Sequence, residues 1–505
     1  MAMKHINKKI VSFLLLTVLI TSCKKWVDYN PREDFKITEL DYLKSETDYR
    51  TMAVSVYTPI QWLNQIVPLG DIASDNAVAG GEGASDVIPF QQIDDYTHTP
   101  VNSVLTDLWV SAYEGINRAN YMTQYKAKNL AGEEIAFAGK EALYGEVYFL
   151  RAFYYFSLVK LYGDVPLFVD KRLGLTDSKK LQRSPKADVY KQIEGDLKTA
   201  ITVLPAVQVQ KGRITKYAAQ ALLGKVYLYQ NKHDLAAAEL EKVIVSGAFS
   251  LVSNFGNMFL ASGENGPESV FEIQYSNTSP YYNWNGTTRG QGNHSVQQCG
   301  IRGINGSDQM PYVAGWSTNL PTQNLAAAYS AGDRRKDVTV LDIEKYKTDN
   351  PSFNITYQVA PYKNTGLYNQ KYLPRKGETS GQIELNYLNN FRTIRYADVL
   401  LMAAEAYSKA TAADFTKAQT YLNLVRRRAF GNNSNDINAT GNALYLAILD
   451  ERRLELGMEG ERFFDLVRTG QAAAKITGFK VGKHEVFPIP QQEVVVSGLT
   501  QNNNY

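Results

Sequence analysis

The sequence predicts a mainly α-helical protein, in which tetratricopeptide-like helical hairpins form an α-α superhelix beside a large, irregular, loop-rich region with short strands. Apolar residues recur with helical spacing over about residues 108–245 and 396–468. Between them, over about 249–391, that spacing is lost and Gly, Asn, Ser, Thr, Tyr and Trp are frequent, which is typical of loops. A repeated pattern of small, aromatic and apolar residues in the helical regions is the third observation.

Two segments share this repeat, one starting at 221–227 and the other at 403–407, where a slightly longer turn follows at 411–414. A weaker copy starts at 145–148. In each copy a small residue lets two helices approach closely, and a tyrosine fills the gap one turn later. Generic alanine-rich hairpins are the alternative, but the shared spacing favours tetratricopeptide-like packing.

Two further elements lie outside the repeats. A helix is expected from Lys186 to Val203, ended by Pro205, because proline cannot continue a helix. In the loop-rich region, polar and apolar residues alternate over 269–273, which predicts a short strand.

The N-terminus predicts export and lipid attachment. A basic leader precedes an apolar run at 10–20, which is far shorter than the ~20 residues of a spanning helix and is typical of a signal peptide. The run ends in Ile-Thr-Ser before Cys23, and this resembles the lipobox of bacterial lipoproteins. We therefore predict a signal peptide over 1–22, acyl chains on Cys23, a tether over 23–40 and a single body over 41–505. An ordinary secretory signal is the alternative.

Composition narrows the range of functions. The chain has 505 residues, a net charge of +3 and no cluster of Lys and Arg with interleaved aromatics, so no nucleic-acid partner is expected. The chain has two cysteines. Acylation of Cys23 would leave Cys299 without a thiol partner, so no disulfide within the chain is expected. The 33 tyrosines supply flat apolar rings with polar tips, which suit polar ligands such as sugars and peptides.

Catalytic patterns are missing from the sequence. It has no H-E-x-x-H, G-x-S-x-G, P-loop or C-x-x-C motif, and its five histidines are not spaced for a metal site. Charges of alternating sign between 451 and 468 favour a structural ion-pair network that fixes the C-terminal segment over a catalytic pair. We expect the protein to have no catalytic activity, no bound metal and no cofactor. A structural Ca²⁺ bound by oxygen ligands is the alternative.

Longer segments resemble one known family. The two most specific are 146–167, with YFLRAFYYF and GDVPL, and 451–470, with ERRLEL and RFFDL. Both resemble signature stretches of the SusD/RagB family of Bacteroidetes outer-membrane lipoproteins. Shorter matches follow in the family's order at 395–402, 487–490 and 499–502.

The resemblance implies a non-catalytic cell-surface protein that binds a glycan and delivers it to a SusC-like TonB-dependent outer-membrane transporter, over which it sits as a lid. It also implies a lipid anchor in the outer membrane. The chain ends in QNNNY, where the family commonly has QNPGY, and basic residues follow Cys23, so outward-facing display is inferred from the family alone. The alternatives are the same role for peptides, as in the RagB branch, a surface enzyme, and a tetratricopeptide scaffold.

Aromatic residues of the loop-rich region are the first candidates for ligand binding. Tyr281, Tyr282, Trp284 and Trp316 are flanked by Gly, Asn, Pro or Ser. Their rings are expected either to cover the C–H faces of sugars or to pack the loops against the helices. Cys299 lies in the same polar stretch, and it either lines the site or packs in the interior.

An early polar loop supplies the second group of candidates. Asp71, Asp75 and Asn76 occur where, by the resemblance, several family members offer acidic and amide groups to a ligand. They are therefore hypotheses for binding hydroxyl groups. The alternative is turn formation and helix capping, which Asp and Asn commonly perform.

Overall fold

The computed structural model describes residues 39–174, 176, 177, 179, 181–278, 289–359, 362–381 and 385–505. The predicted signal peptide, most of the tether and Cys23 lie outside the described residues, as do Tyr281, Tyr282 and Trp284. In the part of the chain that is described, no helix combines the length and the hydrophobicity that crossing a membrane requires.

Residues 39–49 and 125–137 form a small unit, and the remaining described residues form the main unit. In the small unit, Nδ2 of Asn129 donates hydrogen bonds to the carbonyl oxygen of Leu43 at 3.2 Å and to Oε2 of Glu133 at 2.9 Å. One amide therefore ties together the two segments of this unit.

Helices dominate the first half of the chain. They are α1 (Glu46–Gln61), α2 (Ile66–Ile72), α3 (Ile88–Asp94), α4 (Ser103–Gln124), α5 (Lys140–Tyr162), α6 (Lys186–Val203), α7 (Lys216–Leu228) and α8 (His233–Val245). The helix predicted from Lys186 to Val203 is confirmed. Helices α1 to α3 precede the predicted helical region. Pro59 lies within α1 and Pro68 within α2, which explains why helical spacing did not reveal these two helices.

The next part of the chain is irregular. It carries the short helices α9 (Ser295–Cys299), α10 (Gln323–Ala328), α11 (Lys336–Thr339) and α12 (Ile343–Asp349). The described strands pair in antiparallel twos: β1 (Ala77–Ala79) with β5 (Asn319–Pro321), β2 (Val165–Pro166) with β3 (Arg183–Ser184), β4 (Ser269–Ile273) with β8 (Phe391–Arg395), and β6 (Val340–Asp342) with β7 (Leu367–Asn369). The strand predicted at 269–273 is β4, and the loop-rich region with short strands is confirmed.

The helical hairpins form one continuous stack. The C-terminal helices are α13 (Tyr396–Lys409), α14 (Phe415–Phe430), α15 (Gly441–Glu455), α16 (Arg462–Arg468), α17 (Ala472–Lys475) and α18 (Gln491–Ser497). Each of α5 to α7 packs against the next helix in the chain, α8 packs against α13, and α13 packs against both α14 and α15. The predicted fold class, with tetratricopeptide-like hairpins, is confirmed.

Small residues set the spacing of these hairpins, as the repeat predicts. A Cβ atom added to Gly224 in α7 would lie 2.5 Å from Cγ of Leu240 in α8, and one added to Gly145 in α5 would lie 2.8 Å from a methyl group of Val203. Both helix pairs therefore depend on the missing side chain for close approach. The turn from α13 to α14 is one residue longer than the turn from α7 to α8, again as predicted.

Buried ion pairs connect the C-terminal helices to the loop-rich region. Glu455, at the end of α15, is fully buried and accepts hydrogen bonds from Arg335, Arg395 and Arg428 at 3.1, 2.8 and 2.5 Å. Burial by itself raises the pKa of a carboxyl group, but the guanidinium groups of Arg428, Arg395 and Arg335 outweigh it and hold the pKa of Glu455 well below its usual range.

The network extends from Glu455 in both directions. Arg395 also pairs with Glu268 and Glu459, each at 2.8 Å. Farther along the C-terminal segment, Arg452 pairs with Asp398 at 2.7 Å. The structural ion-pair network predicted for this segment is confirmed. Its central group, called here the Glu455 network, consists of Glu268, Arg335, Arg395, Arg428, Glu455 and Glu459.

Candidate functional site

Of the three tryptophans in the described part of the chain, Trp316 is partly exposed, whereas Trp62 and Trp109 are buried. Its ring packs against Trp62 and Leu385 and meets the ring of His294 edge-on, with 5.5 Å between the centroids. One side of the indole is thus fixed by neighbours while another part faces solvent. A ring held in this way offers apolar area to a ligand at little cost in conformational entropy.

Glycine backbones hold the loop that carries Trp316 against α9. A Cβ atom on Gly315 would lie 2.3 Å from Cα of Gly300, so the two chains touch backbone to backbone. The N–H of Trp316 donates a hydrogen bond to the carbonyl oxygen of Gln297 at 2.8 Å. The position of the ring is therefore set by main-chain contacts on both sides of it.

Replacing Gly315 by alanine should lower the free energy of unfolding by about 1–3 kcal/mol, because the new methyl group meets backbone that cannot move aside. The matched control is Gly195→Ala in α6, where a Cβ atom meets nothing within 4 Å. That control should be stabilising by about 0.5–1 kcal/mol, as is usual for glycine within a helix. Urea unfolding measures both changes, and equal stabilities for the two variants would contradict the expected close contact.

Charged groups flank Trp316 on one side. Arg302 donates a hydrogen bond to the carbonyl oxygen of Trp316 at 3.0 Å and another to Oδ2 of Asp86 at 2.7 Å. The more distant Glu82, 3.5 Å from the guanidinium, has a side chain that is 72% exposed. Arg302 therefore links the Trp316 loop to acidic groups that remain open to solvent.

A second arginine lies over Trp62, the ring against which Trp316 packs. The guanidinium carbon of Arg289 is 5.3 Å from the centroid of the Trp62 ring, and the side chain pairs with the exposed Asp107 at 3.3 Å. Arg118 also lies over the Trp62 ring, at 5.5 Å, and because Trp62 is buried this indole offers little area to a ligand. We define the Trp316 surface as Glu82, Asp86, Asp107, Arg289, Arg302 and Trp316.

The chemistry of the Trp316 surface suits binding. Guanidinium groups donate hydrogen bonds in a fixed fork and carboxylates accept them, while the indole supplies apolar area. Among the described residues, no group of three or more His, Cys, Asp or Glu side chains is placed to hold a metal ion.

Asp71 and Cys299, which the sequence offered as site residues, lie in the interior instead. Asp71 is fully buried and accepts hydrogen bonds from Nδ2 of Asn319 at 3.0 Å and from the N–H of Gly460 at 2.9 Å. Cys299 is also buried, its sulfur accepts a hydrogen bond from Asn369 at 3.4 Å, and burial raises the pKa of its thiol. Their positions give Asp71 and Cys299 packing roles, because a ligand at the surface does not reach either side chain.

Asp71 should make stability depend on pH. Burial raises the pKa of Asp71 to about 7, against the opposing hydrogen bonds from Asn319 and Gly460. Between about pH 4 and pH 7 the folded protein therefore keeps a proton that the unfolded chain releases. The contribution of Asp71 to the free energy of unfolding should fall as the pH rises through this window, by at most about 1.4 kcal/mol per pH unit.

The Asp71→Asn variant should lose this slope. Its amide oxygen keeps the contact with Gly460. Its NH₂ group pairs with Asn319 once that amide turns over to present Oδ1, which is buried without a partner, in place of Nδ2. Urea unfolding of both proteins from about pH 4 to about pH 8 measures the difference. Parallel pH profiles for the two proteins would show that Asp71 does not titrate as its burial implies.

Asp75 and Asn76 fix the early loop to the C-terminal segment. Arg462 pairs with Asp75 at 2.7 Å, and Nε of Arg453 donates to Oδ1 of Asn76 at 2.8 Å. Asn76 is fully buried and Asp75 is mostly buried. Asp75 and Asn76, which the sequence suggests for binding hydroxyl groups, thus make contacts within the protein.

The charged members of the Trp316 surface were not predicted from the sequence. Asp86 and Arg302 are 216 positions apart, and no local spacing indicates that they meet. The one available signal is the run of glycines around Glu82, at 80–83, which marks a tight exposed loop but not its neighbours in space.

Comparisons with known proteins place the chain in a family. A model described as the SusD family matches residues 267–505, and one described as starch-binding proteins associating with the outer membrane matches residues 25–228. A solved laminarin-binding SusD-like protein is 33% identical, over 92% of this chain and 100% of its own, with a TM-score of 0.81. The protein belongs to the SusD/RagB family. The family predicted from the sequence motifs is therefore confirmed.

Other SusD-like relatives agree over nearly the full length. The surface glycan-binding protein A of Bacteroides thetaiotaomicron, solved with laminarihexaose, is 26% identical over 91% of this chain and 100% of its own, with a TM-score of 0.78. The SusD-like protein P2 of Formosa agariphila is 26% identical over 98% of both chains. Both of the solved relatives described here are named for glycan binding and neither is named as an enzyme, in line with the non-catalytic role expected from the sequence.

Proposed function

We propose that the protein binds a glycan at the Trp316 surface. The observation that carries the proposal is the full-length likeness, at 33% identity, to a protein named for laminarin binding. A second relative was solved with laminarihexaose. Laminarin and its oligosaccharides are therefore the first ligands that we propose for this chain.

The Trp316 surface supplies what such a ligand needs. The exposed part of the indole matches the C–H face of a sugar ring, and contacts with an aromatic ring contribute about 1 kcal/mol each. Glu82, Asp86 and Asp107 accept hydrogen bonds from sugar hydroxyl groups, while Arg289 and Arg302 donate them. Because both arginines are already held by ion pairs, little side-chain entropy is lost when the ligand binds.

We further propose that the protein delivers the glycan to a SusC-like TonB-dependent transporter, over which it acts as a lid. Family membership supports this step, and the lipobox before Cys23 supports attachment to the outer membrane by lipid. Acyl chains contribute about 0.8 kcal/mol per buried CH₂ group, so two or three chains give a stable anchor. The anchor keeps the lid at high local concentration beside its transporter.

Calorimetry with a panel of ligands tests the binding proposal. We expect laminarin and laminarihexaose to bind without being hydrolysed, and alginate and casein-derived oligopeptides to give no heat of binding. Binding of the oligopeptides with no binding of any glycan would favour the peptide-importing role instead.

A further inference from the structure

A cavity of about 370 Å³ lies between α4, α18 and the segment that follows β2. Aromatic rings form its floor: Tyr113 and Phe168 are stacked at 5.7 Å with an interplanar angle of 13°, and Trp109 lies 4.8 Å from Tyr113. The hydroxyl group of Tyr113 donates to the carbonyl oxygen of Pro166 at 2.8 Å. The floor therefore presents ring area, because its phenol already has a partner.

The cavity and the Trp316 surface use neighbouring faces of α4. Asp107 contacts Arg289 of that surface, whereas Val110, Tyr113 and Asn117 line the cavity. At 3.6 residues per turn, these cavity residues point roughly 60–120° away from Asp107 around the helix. Glu114, which borders the cavity, lies only about 20° from Asp107 around the helix, so the two sites adjoin on α4 without sharing a lining residue.

The walls of the cavity are mainly aliphatic, and the side-chain amide of Asn117 among them already makes hydrogen bonds within the protein. Val110, 41% exposed, lies at the mouth, and leucines 173, 181 and 499 line the interior. Asn117 uses its amide oxygen and nitrogen on the backbone N–H and carbonyl of Leu173, at 2.7 and 3.3 Å. Asn117 therefore shapes the wall and has little capacity left for a ligand.

Two carboxylates border this apolar space, and they differ in their partners. Glu114 pairs with Arg118 at 2.5 Å. Glu493 accepts a hydrogen bond from the hydroxyl group of Ser497 at 3.2 Å, and within the described ranges no Lys or Arg forms an ion pair with it. A carboxylate beside aromatic rings attracts an organic cation, both by its charge and by cation–π contact.

We infer that this cavity binds an amphiphilic organic cation, with an aromatic or aliphatic body on the rings of Trp109, Tyr113 and Phe168 and an ammonium group beside Glu493. The volume lies within the usual range of small-molecule sites, about 300–1,000 Å³. Charge complementarity favours a cation, because no Lys or Arg of the described residues lines the cavity or pairs with Glu493. This site is independent of the proposed glycan site.

Three probes with one ring system and different charges test the inference: 1-naphthylmethylammonium, 1-naphthylmethanol and 1-naphthylacetate. Calorimetry should show the cation binding about tenfold more tightly than the alcohol, which corresponds to about 1.4 kcal/mol, and the acetate binding most weakly. Glu493→Gln should remove the preference for the cation while keeping the alcohol bound. Val110→Trp, which fills the mouth, should weaken all three, and Glu344→Gln, at an exposed carboxylate elsewhere, should change none.

Several outcomes would overturn the inference. These are no binding of any probe at millimolar concentration, equal affinities for the three probes, or affinities that Val110→Trp leaves unchanged. Dimerisation that Val110→Trp abolishes, without probe binding, would assign the cavity to a second copy of the chain. Unchanged laminarin binding in Glu493→Gln is expected, and its loss would show that the two sites are not independent.

Discussion

Replacing Glu455 by glutamine should lower the free energy of unfolding by about 3–5 kcal/mol. The substitution keeps the shape of the side chain but removes the charge that faces Arg335, Arg395 and Arg428. Arg395 and Arg335 are almost completely buried, so water cannot take the place of the carboxylate. Each arginine keeps another carboxylate, such as Glu268 for Arg395, but the Glu455 network is left with one buried positive charge in excess. Uncompensated buried charge is among the few changes that destabilise a protein this strongly.

Urea unfolding, followed by tryptophan fluorescence, measures this effect. The matched control is Glu344→Gln, in which the same chemical change occurs at a side chain that is 63% exposed and paired with Lys347. Exposed pairs contribute about 0–1 kcal/mol, so the control should stay within that range. A change below 1 kcal/mol at Glu455 would mean that solvent reaches the network.

Replacing Trp316 by alanine should raise the Kd for laminarin by about ten- to thirtyfold, since a central tryptophan contributes about 1.4–2 kcal/mol or more to binding. The indole is the apolar element of the Trp316 surface, and the flanking ion pairs cannot replace its contact with a sugar ring. Trp316→Phe should retain most of the affinity, because it keeps an aromatic face at the same place. Calorimetry with laminarihexaose gives both values.

The control for Trp316→Ala is Tyr445→Ala on α15, where a partly exposed ring contacts Lys409 at 4.6 Å. Its affinity for laminarin should equal that of the unchanged protein. If Trp316→Ala also binds laminarin normally while circular dichroism shows both variants folded, the glycan site lies elsewhere. The proposed function would then stand, but its assignment to the Trp316 surface would be wrong.

The helical part of the fold could be predicted because its signals are local. The helix from Lys186 to Val203 and the strand at 269–273 follow from residues that are neighbours in sequence. The small residues at Gly145 and Gly224 also indicated which helices approach closely. By contrast, α1 and α2 were missed because prolines interrupt the pattern that identifies helices elsewhere.

The candidate site could be predicted only in part, because burial is decided by contacts between distant segments. Trp316 was selected from its polar neighbours, and the structure leaves its ring partly exposed. Asp71 has similar polar neighbours in sequence, yet its contacts with Asn319 and Gly460 place it in the interior. The ligand-binding roles of Tyr281, Tyr282 and Trp284 stay predictions, since these residues lie outside the described part of the chain.

The Glu455 network has a consequence for the order of folding. Its members come from five separate stretches of the chain, beginning at Glu268 and ending at Glu459, so closing it requires loops of tens of residues. Contacts of such long sequence separation form late and slow the folding rate. The loop-rich region therefore completes its packing only after α15 is in place. In a chain cut before Glu455, Arg335 and Arg395 would keep carboxylates such as Glu451 and Glu268, but they would lose the one that joins them to each other and to Arg428.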